Sequence, residues 1–250
     1  MVETTSQTDT LESPVGQMSR GRALVIVALL GIAAVLSNTA FSLLTVPFQP
    51  GSEWVTFVLS LLAVEASFLV VGVGYMWYRP AVDVPIQSPN RHDWGVAVAG
   101  LAAGLAAVTL SFASTDALIP AVEVSPGFTE YAGYDSSSAI VLVLGAVLSL
   151  LVVGPVEEFL FRGVIQGRLR AAFGPVAAIG LAGFVFSFFH VYPIFLLGPS
   201  AAGIVHMIAY YTVMGAIFGE TYERTNTLVV PVVVHGAFNT ILFLGSMAFV

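Results

Sequence analysis

The stretch AIVLVLGAVLSLLVVGPVEEFLFRGVIQG, residues 139–167, decides the fold. It opens with an uncharged run from Ala139 to Val156, and then places Glu157, Glu158 and Arg162 within two helical turns. A run of that length approaches the roughly 20 apolar residues a helix needs to cross the hydrocarbon core of a bilayer. Ionisable groups at the far end of such a run are expensive in lipid, so they mark a candidate functional site. The rest of the chain has the same character. Of its 250 residues 57% are hydrophobic and only 9% are charged, and the mean hydropathy is +0.93. A soluble domain carries about 25% charged residues, so this chain cannot cover a water-facing surface. An ordinary cytosolic enzyme, a nucleic-acid binder and a disulfide-stapled secreted domain are excluded. Cysteine is absent, which removes thiol catalysis, Fe–S clusters and cysteine-type zinc sites. All eight basic residues are arginine, so no lysine is available for a retinal Schiff base.

Seven segments meet or approach spanning length, near residues 23–46, 54–78, 94–113, 139–167, 175–195, 201–219 and 228–250. The expected fold class is therefore all-α, a polytopic membrane helix bundle of about seven transmembrane helices. Three parts are expected: a disordered polar tail over residues 1–20, a three-helix membrane region over 21–138, and a membrane core over 139–250 that holds the candidate functional site. The tail lacks the ordered features of a cleaved signal peptide. Residues 79–93 hold three prolines and read as a loop, and 115–138 is acidic without a basic residue. The arginines set the orientation. Arg20, Arg22, Arg79, Arg91, Arg168, Arg170 and Arg224 all fall on one side of a seven-helix bundle, and Arg162 alone lies within a helix. This positive-inside pattern predicts a cytoplasmic N-terminus in the cell membrane, with a site opening towards the cytoplasm.

Three helices carry polar groups in sequence patterns that suggest chemistry. In the fourth, Pro155 and Gly154 predict a kink just before the acids. Glu158 and Arg162 are four apart and share a face, whereas Glu157 is turned about 100° away. One acid can be neutralised while the other points elsewhere, which suits a carboxylate for proton transfer. A structural ion-pair network is the alternative for these residues. In the fifth helix Phe186 and His190 share a face. In the seventh His235 and Asn239 do so. The His–Asn pair could serve as an oxyanion site, as half of a metal site, or as helix–helix hydrogen bonding. Counted at about 1.5 Å per residue, Glu157 and His235 lie at similar depth and His190 lies deeper.

In this order the motifs Glu157-Glu158…Arg162, Phe186…His190 and His235…Asn239 resemble the CPBP family of CAAX-protease and bacteriocin-processing membrane proteins, which includes the type II CAAX prenyl endopeptidases. Glu223-Arg224-Thr225-Asn226 and Pro231 fit the same context, and the resemblance covers roughly residues 139–245. It implies an intramembrane endopeptidase that cuts near the C-terminus of a membrane-associated protein or peptide, prenylated CAAX-type proteins included. Carried over, Glu157 activates water with His190, His235 and Asn239 stabilise the oxyanion, and Glu158 and Arg162 orient the site. Metal-independent glutamate catalysis is the favoured reading. The alternative is Zn²⁺ held by Glu157, His190 and His235 with one open position, although the HExxH signature is absent. Fuller members of the family have a further helix after the His-x-x-x-Asn helix, which this sequence does not show.

The partners implied are the lipid bilayer and a substrate with an accessible C-terminus, and no nucleic acid. A non-catalytic scaffold or immunity protein on the same fold is a second function class. An ion or proton transporter is a third, disfavoured because no internal repeat or pair of broken helices is seen. Glu65, in the middle of the second helix, either approaches the site or is protonated and hydrogen-bonded elsewhere. His206 matches no motif, and His92 is expected in a solvated loop. Trp54, Trp77, Tyr78 and Trp94 are expected at the membrane interfaces. Asn38 and Ser60 are expected to bond between helices.

Overall fold

The computed structural model describes residues 18–48, 51–79, 83–118, 138–193 and 200–249. Most of the tail and most of the acidic 115–138 segment lie outside the described residues. Seven long helices are present: α1 (Arg20–Thr45), α2 (Glu53–Tyr78), α3 (Arg91–Leu118), α4 (Ala139–Arg170), α5 (Pro175–Val191), α6 (Ala201–Thr225) and α7 (Val229–Ser246). There is no strand among the described residues. Among the described residues six helices are long and apolar enough to cross a membrane, and α5, with 17 residues, is shorter. At about 1.5 Å per residue α5 spans about 25 Å, less than the hydrocarbon core. Large apolar side chains such as Leu36, Leu110, Leu151 and Val176 stand exposed on the outside of the bundle. That surface is stable only where the solvent is lipid, and the chain is a polytopic membrane helix bundle.

Several boundaries differ from the sequence reading, each for a local reason. Helix α3 starts at Arg91, so His92 is in its first turn and not in a loop. Asn90 causes this: its side chain accepts from the N–H groups of His92 (2.7 Å) and Asp93 (3.1 Å), while Asp93 accepts from Asn90 N–H (2.9 Å). That is a reciprocal capping box. Helix α6 runs six residues past Gly219 and stops at Asn226, whose φ of 47° is left-handed and closes the last turn. Just beyond, Thr227 Oγ1 accepts from Gln87 N–H (3.0 Å) and donates to Gln87 C=O (2.8 Å), and Leu228 N–H donates to Pro85 C=O (2.8 Å). The α2–α3 connection is thereby tied to the α6–α7 corner at the arginine-rich end.

The expected break at Gly154-Pro155 takes another form. Helix α4 continues through it, but widens to π-helical turns over Ser149–Val153 and Phe159–Gln166 on either side. Proline cannot donate the hydrogen bond an α-helix needs there, and a widened turn absorbs the mismatch without ending the helix. Around α4 the core is aromatic. Phe161 meets Phe68 at 5.8 Å, Phe186 at 5.1 Å and Phe189 at 5.5 Å between ring centroids, all near edge-to-face. Such pairs contribute about 0.5–1.5 kcal/mol each beyond area burial. They seat α2 and α5 against the turn of α4 that carries the acids.

Candidate active site

Glycine sets how closely the helices approach. A side chain on Gly154 of α4 would lie 2.9 Å from Val232 C=O and 3.2 Å from Gly236 N on α7, and one on Gly236 would lie 3.0 Å from Ser149 C=O. The two backbones therefore touch. One turn further along, Thr240 Oγ1 donates to Ala146 C=O at 2.9 Å. This crossing carries His235 to Glu158. Helices α5 and α6 touch in the same way, at Gly183 and Gly215, and this brings His190 beside Tyr211.

Glu158 and Arg162 are fully buried. Arg162 Nε lies 3.0 Å from Glu158 Oε2, and His235 Nδ1 donates to Glu158 Oε1 at 2.8 Å. Glu158 Oε1 is thus hydrogen-bonded, and Oε2 is ion-paired without a hydrogen bond to the described residues. Arg162 also donates from Nη2 to Gly215 C=O at 3.2 Å, and its guanidinium lies 4.8 Å from the centroid of the Phe186 ring and 5.5 Å from that of Phe218. Hydrogen bonds and cation–π contacts together compensate a charge that would be prohibitive in lipid.

Glu157 points elsewhere, as the 100° offset requires. It is buried, and its Oε2 lies 3.8 Å from His190 Nε2, outside hydrogen-bond distance. His190 Nδ1 is 2.9 Å from Phe186 C=O. A carbonyl can only accept, so Nδ1 carries the proton and the Nε2 lone pair faces Glu157. The imidazole is held between Phe186 at 4.2 Å and Tyr211 at 4.5 Å. His235 stacks on Phe218 at 4.5 Å, with the planes 15° apart. Asn239 is buried one turn along α7 from His235, and its Nδ2 makes no hydrogen bond to the described residues.

The sequence motifs therefore converge as two units, Glu158–Arg162–His235 and Glu157–His190, in one buried region. Glu65 joins them. It is buried in α2, its Oε2 makes no hydrogen bond to the described residues, and it lies close enough to Glu157 for the two carboxyl groups to interact. His206 is instead bonded to Ser111 across the α3–α6 contact at 2.9 Å. Asn38, expected to bond between helices, accepts from Ser42 within its own helix at 3.2 Å. Trp54, Trp77, Tyr78 and Trp94 are exposed at helix ends.

Glu157, His190 and His235 are the side chains that would hold a metal ion in the alternative reading. Among the described residues no three His, Asp or Glu side chains are grouped to hold one. Each histidine donates from Nδ1, His190 to a carbonyl and His235 to Glu158, which orients its ring and leaves Nε2 as the nitrogen able to act as a ligand.

Four participants escaped the sequence reading: Tyr211, Phe218, Gly215 and Gln166. The first three carry no signal in an apolar helix rich in aromatics and glycines. Gln166 carried one. It continues the 158–162 spacing by a further four residues, and a glutamine inside an apolar run calls for a partner.

A buried carboxylate facing an imidazole thus lies beside a second carboxylate paired with an arginine and a histidine, inside a polytopic membrane helix bundle. Residues 139–241 are similar to the family model described as Rce1-like, type II CAAX prenyl endopeptidase. The matched segment holds α4 to α6 and most of α7, and with them Glu157, Glu158, Arg162, His190, His235 and Asn239. Comparison with curated proteins and with solved structures gives no significant match.

Proposed function

We propose that the protein is an intramembrane endopeptidase that hydrolyses a peptide bond near the C-terminus of a membrane-associated protein or peptide. The observation that carries this reading is the division of labour between adjacent acids. Glu158 Oε1 is hydrogen-bonded to His235 and Oε2 lies 3.0 Å from Arg162 Nε, whereas the nearest ionisable contact of Glu157 Oε2 is His190 Nε2 at 3.8 Å. Glu157 is thus the carboxylate free to accept a proton.

In the proposed reaction a water molecule lies between Glu157 and His190. His190 Nε2 accepts one of its hydrogens and holds it in place. Glu157 takes the other as the water oxygen attacks the carbonyl carbon. The new C–O bond forms, and the carbonyl π electrons move to the oxygen. His235 in its imidazolium form donates to this oxyanion from Nε2, with Glu158 balancing its charge, and Asn239 Nδ2 donates beside it. The intermediate then collapses. The C–N bond breaks, and Glu157 returns its proton to the leaving amine. Arg162 and Glu158 keep their places throughout and fix the His235 ring.

The arginine-rich end faces the cytoplasm in this reading, so substrates approach from that side. The test is cleavage of a library of C-terminal peptides, with and without prenyl groups, by the full chain reconstituted in liposomes. Cleavage that is lost in Glu157→Ala and in His235→Ala supports the assignment. Cleavage that survives both substitutions overturns it. Activity that persists through exhaustive chelation supports a reaction without metal, and activity lost on chelation and restored by Zn²⁺ overturns that part.

A further inference from the structure

Gln166 is fully buried, and its Nε2 donates to Gly219 C=O at 3.0 Å. One turn earlier on the same face of α4, Arg162 Nη2 donates to Gly215 C=O at 3.2 Å. The donors are four residues apart and so are the acceptors. The two bonds form a ladder between α4 and α6. Each carbonyl has a second lone pair for a side-chain donor beyond its helical bond. The ladder fits because α6 has no side chain at these rungs. A Cβ at Gly219 would lie 2.7 Å from Gln166 Oε1.

The residue beside the second rung is Phe218, the ring on which His235 stacks. His235 in turn donates to Glu158, which pairs with Arg162 on the helix where the ladder began. The contacts close into a circuit through three helices: Gln166 to Gly219, Phe218 to His235, His235 to Glu158, and Glu158 to Arg162. Glu158 holds only one atom of the His235 ring, and the ring can still rotate about that bond. The Phe218 face fixes its plane.

We infer that Gln166 is a positioning residue for His235, acting through Gly219 and Phe218. It holds the α6 register that lays Phe218 flat against the imidazole and so aims His235 Nε2. Its role rests on the reading of His235 as an oxyanion donor.

The test uses the full chain in bilayers, ¹⁵N-labelled at histidine, with two variants. Gln166→Leu removes the donor at similar volume. Gly219→Ala displaces the glutamine amide by the short contact above. In both, the Nδ1–H resonance of His235 is expected to move or broaden. The kcat for peptide cleavage is expected to fall about tenfold to a hundredfold, with KM within about twofold, because a small misplacement of a reacting group has that effect. Glu220→Gln, on an exposed position of the same helix, leaves both readouts unchanged. A purely structural Gln166 would lower thermal stability while leaving the His235 resonance and kcat at wild-type values, and that result overturns the inference. Should Gln166→Leu fail to fold, Gly219→Ala decides alone. Should wild-type protein cleave nothing, the resonance still reports on Gln166, and only the protease reading falls.

Discussion

Removing the charge of Glu158 probes the arrangement most directly. Glu158 and Arg162 are both inaccessible to solvent, with the pair at 3.0 Å and His235 at 2.8 Å on the other oxygen. In Glu158→Gln the amide oxygen can still accept from His235, but Arg162 is left as a buried cation without its counter-ion. Breaking a buried pair in this way costs about 3–5 kcal/mol. Arg162→Met produces the reverse fault, a buried carboxylate without its cation, at a cost of similar size. The double variant leaves neither charge stranded. Its loss of stability should therefore be smaller than the sum of the single losses by at least about 2 kcal/mol, within the coupling range of residues in contact. The assay is unfolding of the full chain in mixed micelles or bilayers, followed for wild type, both single variants and the double variant. Losses that add to within about 0.5 kcal/mol, the behaviour of independent sites, would refute the claim that these two charges depend on each other. All three variants should also lose cleavage, because each removes either the charge of Glu158 or the arginine that fixes the carboxylate against the His235 ring.

Glu157→Gln should behave in the opposite manner, lowering kcat by about 10²-fold to 10⁴-fold with stability unchanged or raised, since Glu157 has a 3.8 Å contact with His190 and no hydrogen bond to break. A kinetic scan beside a thermal melt measures both. Gly236→Ala places a methyl group 3.0 Å from the Ser149 carbonyl and should cost about 1–3 kcal/mol by overpacking, whereas Gly74→Ala meets nothing within 4 Å and should be neutral. Equal melting curves for the two would show that the α4–α7 crossing has slack. Orientation is open to a clean labelling test, because the chain has no cysteine. Single cysteines at the exposed positions Gln87 and Gly51 should react with impermeant reagent from opposite sides of the membrane, Gln87→Cys from the cytoplasm. Labelling of Gln87→Cys from outside would reverse the topology.

The sequence determined the solvent and the chemical groups. Apolar runs of spanning length, and charge too sparse to face water, required a membrane bundle. The spacing of Glu157, Glu158 and Arg162 decided which acid shares a face with the arginine, because helix geometry is local. The four-residue spacings of Phe186 with His190 and of His235 with Asn239 were legible for the same reason. Helix ends were less so. The Asn90–Asp93 capping box was present in the sequence but outweighed by the prolines before it. The change of α4 to π-helical turns depends on how neighbouring helices hold the segment around Pro155.

Only the tertiary structure decided which groups meet. Helix periodicity gives a side chain its direction but not its neighbour. It could not show that Gly154 and Gly236 let α4 touch α7, or that His235 consequently reaches Glu158 and not Glu157. Nor could it place Tyr211 and Phe218 against the two histidines, since those contacts depend on the register of α6 against α4, α5 and α7. Glu65 was visible as a costly acid in an apolar helix, but its closeness to Glu157 is a property of the packed bundle. The sequence alone thus named the candidate groups, because local helix geometry and the cost of charge in lipid are written residue by residue. Their partners were settled by close helix crossings, which exist only once the helices have packed.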